Sequence, residues 1–280
     1  MSDRGQEWRE TYRPFHFRAS PEWAIEALRE IGVDWTSLAN NHLMDYGERA
    51  LLDTTHALED ADIAYSGAGD SLAAAREPSL VTVGGLDVAL FSLTDNTPEF
   101  AAGEKSPGTA YLPCDPDDEE TRTATREILD RAETHDPDLV VASLHWGPNM
   151  VEQPDETRQR FARWLVEEGV DVVYGHSAHV FQGVEVYRGA PILYDTGDFV
   201  DDYAVDARLH NDRSFLFELA LDPEDGTPVE LRLLPTEIYE FSVHEATETA
   251  ASWSRKRMRS LSEAFGTEFE REGEALVLAL

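Results

Sequence analysis

One stretch, Val170–Val180, constrains the fold of this chain more than any other, because it joins an apolar run to two closely spaced histidines. The β-branched run ends at Gly175, which is typical of a buried strand followed by a sharp turn of the backbone. His176 and His179 follow, with only small residues between them. Imidazoles this close in sequence can converge on one ion, although the stretch alone also fits two loop histidines that share no task.

Three further predicted strands end in polar clusters, which are Asn41-His42 after Val33–Ala39, His145 after Leu139–Leu144, and Asp195 with Asp198 after Ile192–Tyr194. In an open α/β sheet, functional groups collect at the carboxyl ends of the strands. Imidazole nitrogen and amide oxygen suit manganese, iron or zinc better than calcium or magnesium. The strand ends together therefore predict a site for a divalent transition metal.

Helices alternate with the strands along the chain. Ser20-Pro21 predicts the start of a helix that Gly32 closes, and a second helix is predicted from Gly47 to about Asp60. Asp115-Pro116 predicts the opening of a charged helix, whereas residues 1–19 show no pattern. This alternation indicates an α/β fold.

The C-terminal part predicts an antiparallel strand pair, a polar helix and a final strand, at Ser214–Leu221 with Val229–Leu234, Glu245–Phe265 and Ala275–Leu278. No repeat or linker interrupts the chain. We therefore expect a single domain over residues 1–280, with the motifs in about 17–200 and the C-terminal strands and helix in 214–280.

The charge of the chain is strongly one-sided, with 56 acidic and 23 basic residues and a net charge of −33. Acidic residues occur along the whole chain, which predicts a folded protein that needs molar salt to screen its self-repulsion, as in a salt-accumulating halophile. No basic patch is present to bind nucleic acid. The single cysteine, Cys114, excludes an internal disulfide. Without an apolar membrane span or a signal peptide, the expected location is cytoplasmic.

The ordered motifs resemble the CapA family of poly-γ-glutamate capsule synthesis proteins, which are related to the calcineurin-like metallophosphatases. The motifs that carry this resemblance are Ala39–His42 with Asp45–Gly47, His145–Gly147, Gly175–His179 and Tyr194–Phe199. The resemblance covers about Phe17 to Val200. It implies a metallophosphatase-like fold of two packed mixed β-sheets flanked by helices, with a two-metal site.

The resemblance also implies individual roles. Asn41, His145, His176 and His179 look like metal ligands, and His42 looks like the imidazole that protonates the leaving group or stabilises the phosphoryl group in transfer. Asp45 would orient His42, cap the following helix, or do both.

An anionic small molecule or polymer is the expected substrate, because arginine can grip such a ligand through two hydrogen bonds. The candidate substrate-binding residues are Arg18, Arg188 and Asp198, the last of which replaces an asparagine of the family pattern.

This chain departs from the family pattern at its start, where no strand ending in Gly-Asp precedes Asn41. Since that aspartate is a metal ligand in the family, we expect a fold that lacks the first strand, at most one tightly bound ion, and weak hydrolysis of phosphodiesters. Three functions stay open at this point. They are metal-dependent phosphoester hydrolysis in capsule polymer synthesis, non-catalytic assembly of an anionic polymer, and metal-dependent amide hydrolysis of polyglutamate-like chains.

Overall fold

The computed structural model describes residues 1–201 and 203–280. The helices in these ranges are α1 (Pro21–Glu30), α2 (Gly47–Glu59), α3 (Leu72–Ala75), α4 (Glu119–Glu133), α5 (Glu156–Glu167) and α6 (Glu248–Ser262). The strands are β1 (Trp35–Ser37), β2 (Ala64–Ser66), β3 (Ala68–Gly69), β4 (Ser79–Val83), β5 (Leu86–Thr94), β6 (Gly108–Thr109), β7 (Leu139–His145), β8 (Val172–His176), β9 (Val184–Tyr187), β10 (Ala190–Leu193), β11 (Arg213–Leu221), β12 (Pro228–Tyr239), β13 (Ser242–Glu245), β14 (Glu270–Glu272) and β15 (Ala275–Ala279). The predicted α/β class is confirmed.

The chain divides into two compact units. Unit 1 comprises Met1–Val83, Asp87–Pro137 and Ala142–His145, and unit 2 comprises Gly84–Leu86, Asp138–Val141 and Trp146–Leu280. The expectation of one domain over residues 1–280 stays a prediction.

Unit 1 is built around a small parallel sheet and the helices beside it. Strands β1 and β2 pair in parallel, β3 pairs antiparallel with β6, and the further strands follow the order β4–β5–β7. Leu51 and Leu58 of α2 are fully buried, in a core against which Ile25 and Leu28 of α1 also pack. The apolar stripes of both helices therefore face inward, as their 3.6-residue spacing predicts.

Unit 2 contains a mixed sheet and an antiparallel sheet. In the first, strands follow the order β7–β8–β10–β9, with β8 parallel to β10 and β10 antiparallel to β9. In the second, the order is β11–β12–β15–β14, and β13 also pairs with β12. The predicted C-terminal antiparallel pair is confirmed as β11 with β12, whose register joins Leu216 to Leu234.

Several predicted element bounds differ from the structure. Strand β12 continues to Tyr239 instead of ending at Leu234, and helix α6 covers Glu248–Ser262 of the predicted Glu245–Phe265. Strand β1 covers only Trp35–Ser37 of the predicted Val33–Ala39. Helix α4 begins at Glu119, because the Asp118 side chain caps it by accepting the Thr121 N–H at 2.7 Å. The predicted opening at Asp115-Pro116 is instead a turn, in which the Asp115 carboxylate accepts the amide of Asp117.

Gly175, in β8, packs directly against the backbone of Tyr194 and the side chain of Trp146. A Cβ atom there would overlap the carbonyl oxygen of Tyr194 and lie 2.7 Å from Nε1 of Trp146. Since both neighbours belong to packed structure, we expect Gly175→Ala to lower the free energy of unfolding by about 2–3 kcal/mol, measured by urea unfolding.

Gly32→Ala is the matched control for this prediction. Gly32 has a φ of +70° but nothing within 4 Å of its Cβ position, so only the left-handed backbone should cost free energy, about 1 kcal/mol. Equal losses in the two variants would contradict a steric role for Gly175.

Candidate metal and catalytic residues

The carboxyl ends of β8 and β10 lie side by side in unit 2. The amide of Thr196 donates to the carbonyl of Gly175 at 3.0 Å, and the amide of Trp146 donates to that of His176, also at 3.0 Å. His176 and the turn after β10 therefore share one edge of the sheet, as the strand-end motifs predict.

The buried carboxylate of Asp195 connects the loop after β8, which carries His179, to the turn after β10 through hydrogen bonds. Asp195 accepts the amide of Ala178 at 2.7 Å through one oxygen and the amide of Gly197 at 2.9 Å through the other. The loop backbone is strained, since Ser177 has a φ of 124° and His179 a φ of 62°. Such conformations persist only where the surroundings enforce them, and Asp195 supplies two of the enforcing contacts.

His179 forms a donor cluster with two carboxylates. Its Nδ1 lies 2.8 Å from Oδ1 of Asp198, and one ligand atom each of His179, Asp198 and Asp201 lies within 4.8 Å of the others. Two ligation modes fit this geometry. Asp198 can bind a cation directly, or it can hold the imidazole so that Nε2 binds the cation.

The protonation of these groups follows from their burial. Desolvation lowers the pKa of His176 to about 4, so its ring is neutral at pH 7, the form that ligates metals. Burial raises the pKa of Asp195 to about 7, against the lowering effect of its two backbone hydrogen bonds, and it also raises the pKa of Asp198. Burial opposes protonation of His179, but the hydrogen bond and charge of Asp198 outweigh it and raise the pKa of the imidazole.

In unit 1, His42 pairs with a buried aspartate. Its Nδ1 lies 2.7 Å from Oδ2 of Asp45, whose side chain is 1% exposed, and the imidazole itself is 29% exposed. Asn40 fixes the loop, because its side-chain oxygen accepts the amide of His42 at 2.9 Å. Of the two roles predicted for Asp45, the structure places it against the imidazole. The N-cap position of α2 belongs to Tyr46, and Asp45 does not cap the helix.

A cavity of about 260 Å³ lies beside His42, and Phe17, Arg18 and Tyr46 also line it. The Arg18 guanidinium stacks 3.7 Å above the Tyr46 ring, while its Nη2 donates to the carbonyl of Arg4 at 2.7 Å. Arg18, predicted to bind an anionic substrate, thus lies in the same cavity wall as His42.

Other predicted site residues are placed differently. Arg188 lies in the turn between β9 and β10, at the other end of β10 from Asp195, and pairs with Glu167 at 3.0 Å. His145 ends β7, and its carbonyl accepts the hydroxyl of Thr94 at 2.9 Å. Asn41 accepts a hydrogen bond from Arg13 through its backbone carbonyl. The convergence of His42, His145, His176 and His179 on one site stays a prediction.

Three residues of these clusters were missed as site residues by sequence reasoning. Asp195 was placed at a strand end without a role, and Asp201 gave no signal in a chain with 56 acidic residues. Arg13 lies in the segment 1–19, where no periodicity marks an inward-facing side chain.

Comparison with known proteins identifies the family. The sequence model of one protein family, described as the bacterial capsule synthesis protein PGA_cap, matches residues 1–203 of this chain. The chain belongs to this family.

Three PGA_cap relatives illustrate the similarity. A probable polyglutamine synthesis accessory protein of Mycobacterium tuberculosis is 33% identical over 91% of this chain and 68% of its own length. The capsule biosynthesis protein CapA of Bacillus anthracis is 30% identical over 86% of this chain and 60% of its own. The PGA biosynthesis protein CapA of Bacillus subtilis is 31% identical over 70% and 49%. The predicted resemblance to CapA is confirmed, and the chain spans between about half and two thirds of these relatives.

In residues 1–201 and 203–280, no helix has the length and apolar character that crossing a membrane requires.

Proposed function

We propose that this chain is an accessory protein of capsule polymer synthesis that hydrolyses a phosphoester bond with the help of one transition-metal ion. Membership in the PGA_cap family supports the role in making a polyglutamate-like polymer. The observation that carries the hydrolytic part is the cluster of His179, Asp198 and Asp201 on the loop that Asp195 fastens. The calcineurin-like metallophosphatase fold and an anionic substrate belong to the same proposal.

The donor set fits a transition metal. One imidazole nitrogen and two carboxylate oxygens combine a borderline ligand with hard ligands, which suits manganese, iron or zinc. His176, neutral at pH 7, is the further donor on the same sheet edge. Asn41 and His145 stay ligands that the family resemblance implies.

When bound, the cation would lower the pKa of a water molecule toward 7 and neutralise charge on a phosphoryl oxygen. His42 would serve as general acid in its imidazolium form, because Asp45 accepts the Nδ1–H hydrogen bond and leaves Nε2–H to give its proton to the leaving oxygen, after which the ring is the neutral Nδ1–H tautomer. Arg18, in the cavity wall beside His42, would hold an anionic group of the substrate.

The test is turnover of a chromogenic phosphodiester with manganese, together with the manganese content of the protein. We expect His42→Gln to lower kcat at least about 100-fold, because general acid catalysis is lost, while the metal content stays unchanged. His16→Gln is the control, since His16 lies in the same unit and contacts the carbonyl of Trp8 instead of an aspartate.

The other outcomes separate the rival functions. Unchanged turnover in His42→Gln would remove His42 from the mechanism, and loss of metal along with turnover would make it a ligand. Release of a free amine from polyglutamate instead of phosphate release would indicate an amide hydrolase. Full metal content without either reaction would favour a non-catalytic assembly role.

A further inference from the structure

Arg13 is a buried arginine in a segment without regular secondary structure. Its side chain is only 9% exposed, and its Nε donates to Oδ1 of Asp45 at 3.0 Å. A second nitrogen of the guanidinium, Nη2, donates to the backbone carbonyl of Asn41. The guanidinium also lies 4.7 Å from the ring centre of Phe100. Arg13 therefore joins the Asp45 carboxylate to the loop that carries His42.

The other oxygen of Asp45 completes the arrangement. Oδ2 accepts the amide of Phe17 at 2.9 Å and faces Nδ1 of His42 at 2.7 Å. Since an ionised carboxylate only accepts hydrogen bonds, Nδ1 must carry the proton of this contact. The ring of Phe17 packs edge-on against that of His42, with centres 4.5 Å apart, which limits rotation of the imidazole.

We propose that Arg13 is a positioning residue that acts through Asp45 to hold His42 as the Nδ1–H tautomer, with Nε2 left for the substrate. A buried carboxylate is costly without a compensating charge, and Arg13 supplies that charge. The use of Nε2 rests on the proposed function, whereas the tautomer is a property of this chain with or without activity.

Arginine suits this position better than lysine. Its planar fork reaches Asp45 and Asn41 through two different nitrogens, and a lysine ammonium cannot reproduce that geometry. Lysine would still supply a charge to Asp45. The variants Arg13→Lys and Arg13→Met therefore separate the loss of one hydrogen bond from the loss of the charge.

A purely structural role for Arg13, as an anchor of the segment 1–19, is the competing explanation. The same segment has another anchor in Arg4, whose Nε donates to Oδ2 of Asp53 at 2.9 Å. Asp53 lies in α2 and also accepts the hydroxyl of Ser2 at 2.7 Å. Arg4→Met removes an arginine–carboxylate pair from this segment without touching His42 or Asp45, so it is the matched control.

The experiment measures the tautomer of His42 by nitrogen-15 NMR of histidine-labelled full-length protein at a pH of about 9, above the usual imidazole range. His42→Gln assigns the signal. We expect the Nδ1–H form to dominate in the wild-type chain. The ratio of the Nδ1–H to the Nε2–H form should fall about tenfold in Arg13→Met, which is the typical effect of losing a charged partner. Arg13→Lys should restore most of the ratio, and Arg4→Met should leave it unchanged.

Two results would overturn the inference. One is a wild-type tautomer ratio in Arg13→Met, and the other is an equal fall in Arg4→Met, which would show that anchoring of the segment is sufficient. If Arg13→Met does not fold, Arg13→Gln takes its place, because glutamine keeps a hydrogen-bond donor but removes the charge, and the ratio should still fall severalfold relative to Arg4→Met. Kinetics distinguish this inference from the proposed function. A fall of the tautomer ratio in a protein that lacks phosphodiesterase activity would refute only the proposed function. If the protein is active, Arg13→Met should lower kcat by a larger factor than it changes KM.

Discussion

Replacing His179 with alanine should lower the affinity of the metal-stripped protein for manganese about 100-fold or more, as measured by isothermal titration calorimetry. The imidazole is the nitrogen donor of the cluster with Asp198 and Asp201, and its loss removes one of the three ligand atoms that this cluster offers to the ion. His210→Ala is the matched control. His210 is also a partly buried histidine of unit 2 near an aspartate, with Nδ1 3.6 Å from Asp212, but it packs on Trp253.

Two substitutions of Asp198 would show how it contributes. Asparagine can still accept the proton of His179 Nδ1, whereas alanine cannot. If Asp198 only orients the imidazole, Asp198→Asn should keep most of the affinity, and Asp198→Ala should lose about 10–100-fold. If Asp198 binds the ion directly, Asp198→Asn should also lose much of the affinity, because a neutral amide oxygen is a weaker ligand than a carboxylate. Unchanged affinity in His179→Ala, or an equal loss in His210→Ala, would contradict a site at this cluster.

The parts of the fold that sequence predicts are those set by local periodicity. The apolar stripe of α1 was recognised by its helical period, and β8 was recognised as a short β-branched run that ends at a glycine. Where two capping residues compete, the local signal is ambiguous. Asp115 and Asp118 both precede a helical pattern, and only the contact between Asp118 and Thr121 shows which one begins α4.

The candidate site was predictable only in part, for a different reason. The chain has 9 histidines and 56 acidic residues, so four histidines after predicted strands stand out, whereas a single carboxylate such as Asp201 does not. Arg13 could not be predicted as a site residue because its partner Asp45 lies 32 residues away in the sequence. Long-range charge pairs follow from the tertiary fold and leave no periodic trace in sequence.

The net charge of −33 predicts that the stability of this protein depends on salt. The Debye length falls from about 30 Å at 0.01 M to about 3 Å at 1 M salt, so distant acidic groups repel one another only when salt is low. If screening recovers about 5 kcal/mol, the Tm should rise by about 10–20 °C between 0.05 and 2 M KCl, followed by circular dichroism. The same screening would let an acidic protein approach an anionic polymer.

Two exposed glutamates on α1 allow a test that distinguishes the screening of charge repulsion from a general effect of salt on hydrophobic burial. Glu26 and Glu30 lie four residues apart on one helix face, and Glu30 ends the helix, where the helix dipole disfavours negative charge. The double variant Glu26→Gln, Glu30→Gln should therefore be more stable than the wild-type chain by about 0.5–1 kcal/mol at 0.05 M KCl. In 2 M KCl this advantage should disappear, because the repulsion it removes is already screened. An advantage that persists at high salt would point to helix propensity instead.

A wild-type Tm that changes by only about 2 °C between 0.05 and 2 M KCl would contradict the first prediction. Such a change is worth less than about 1 kcal/mol, so self-repulsion would not be a major term in the stability of the protein.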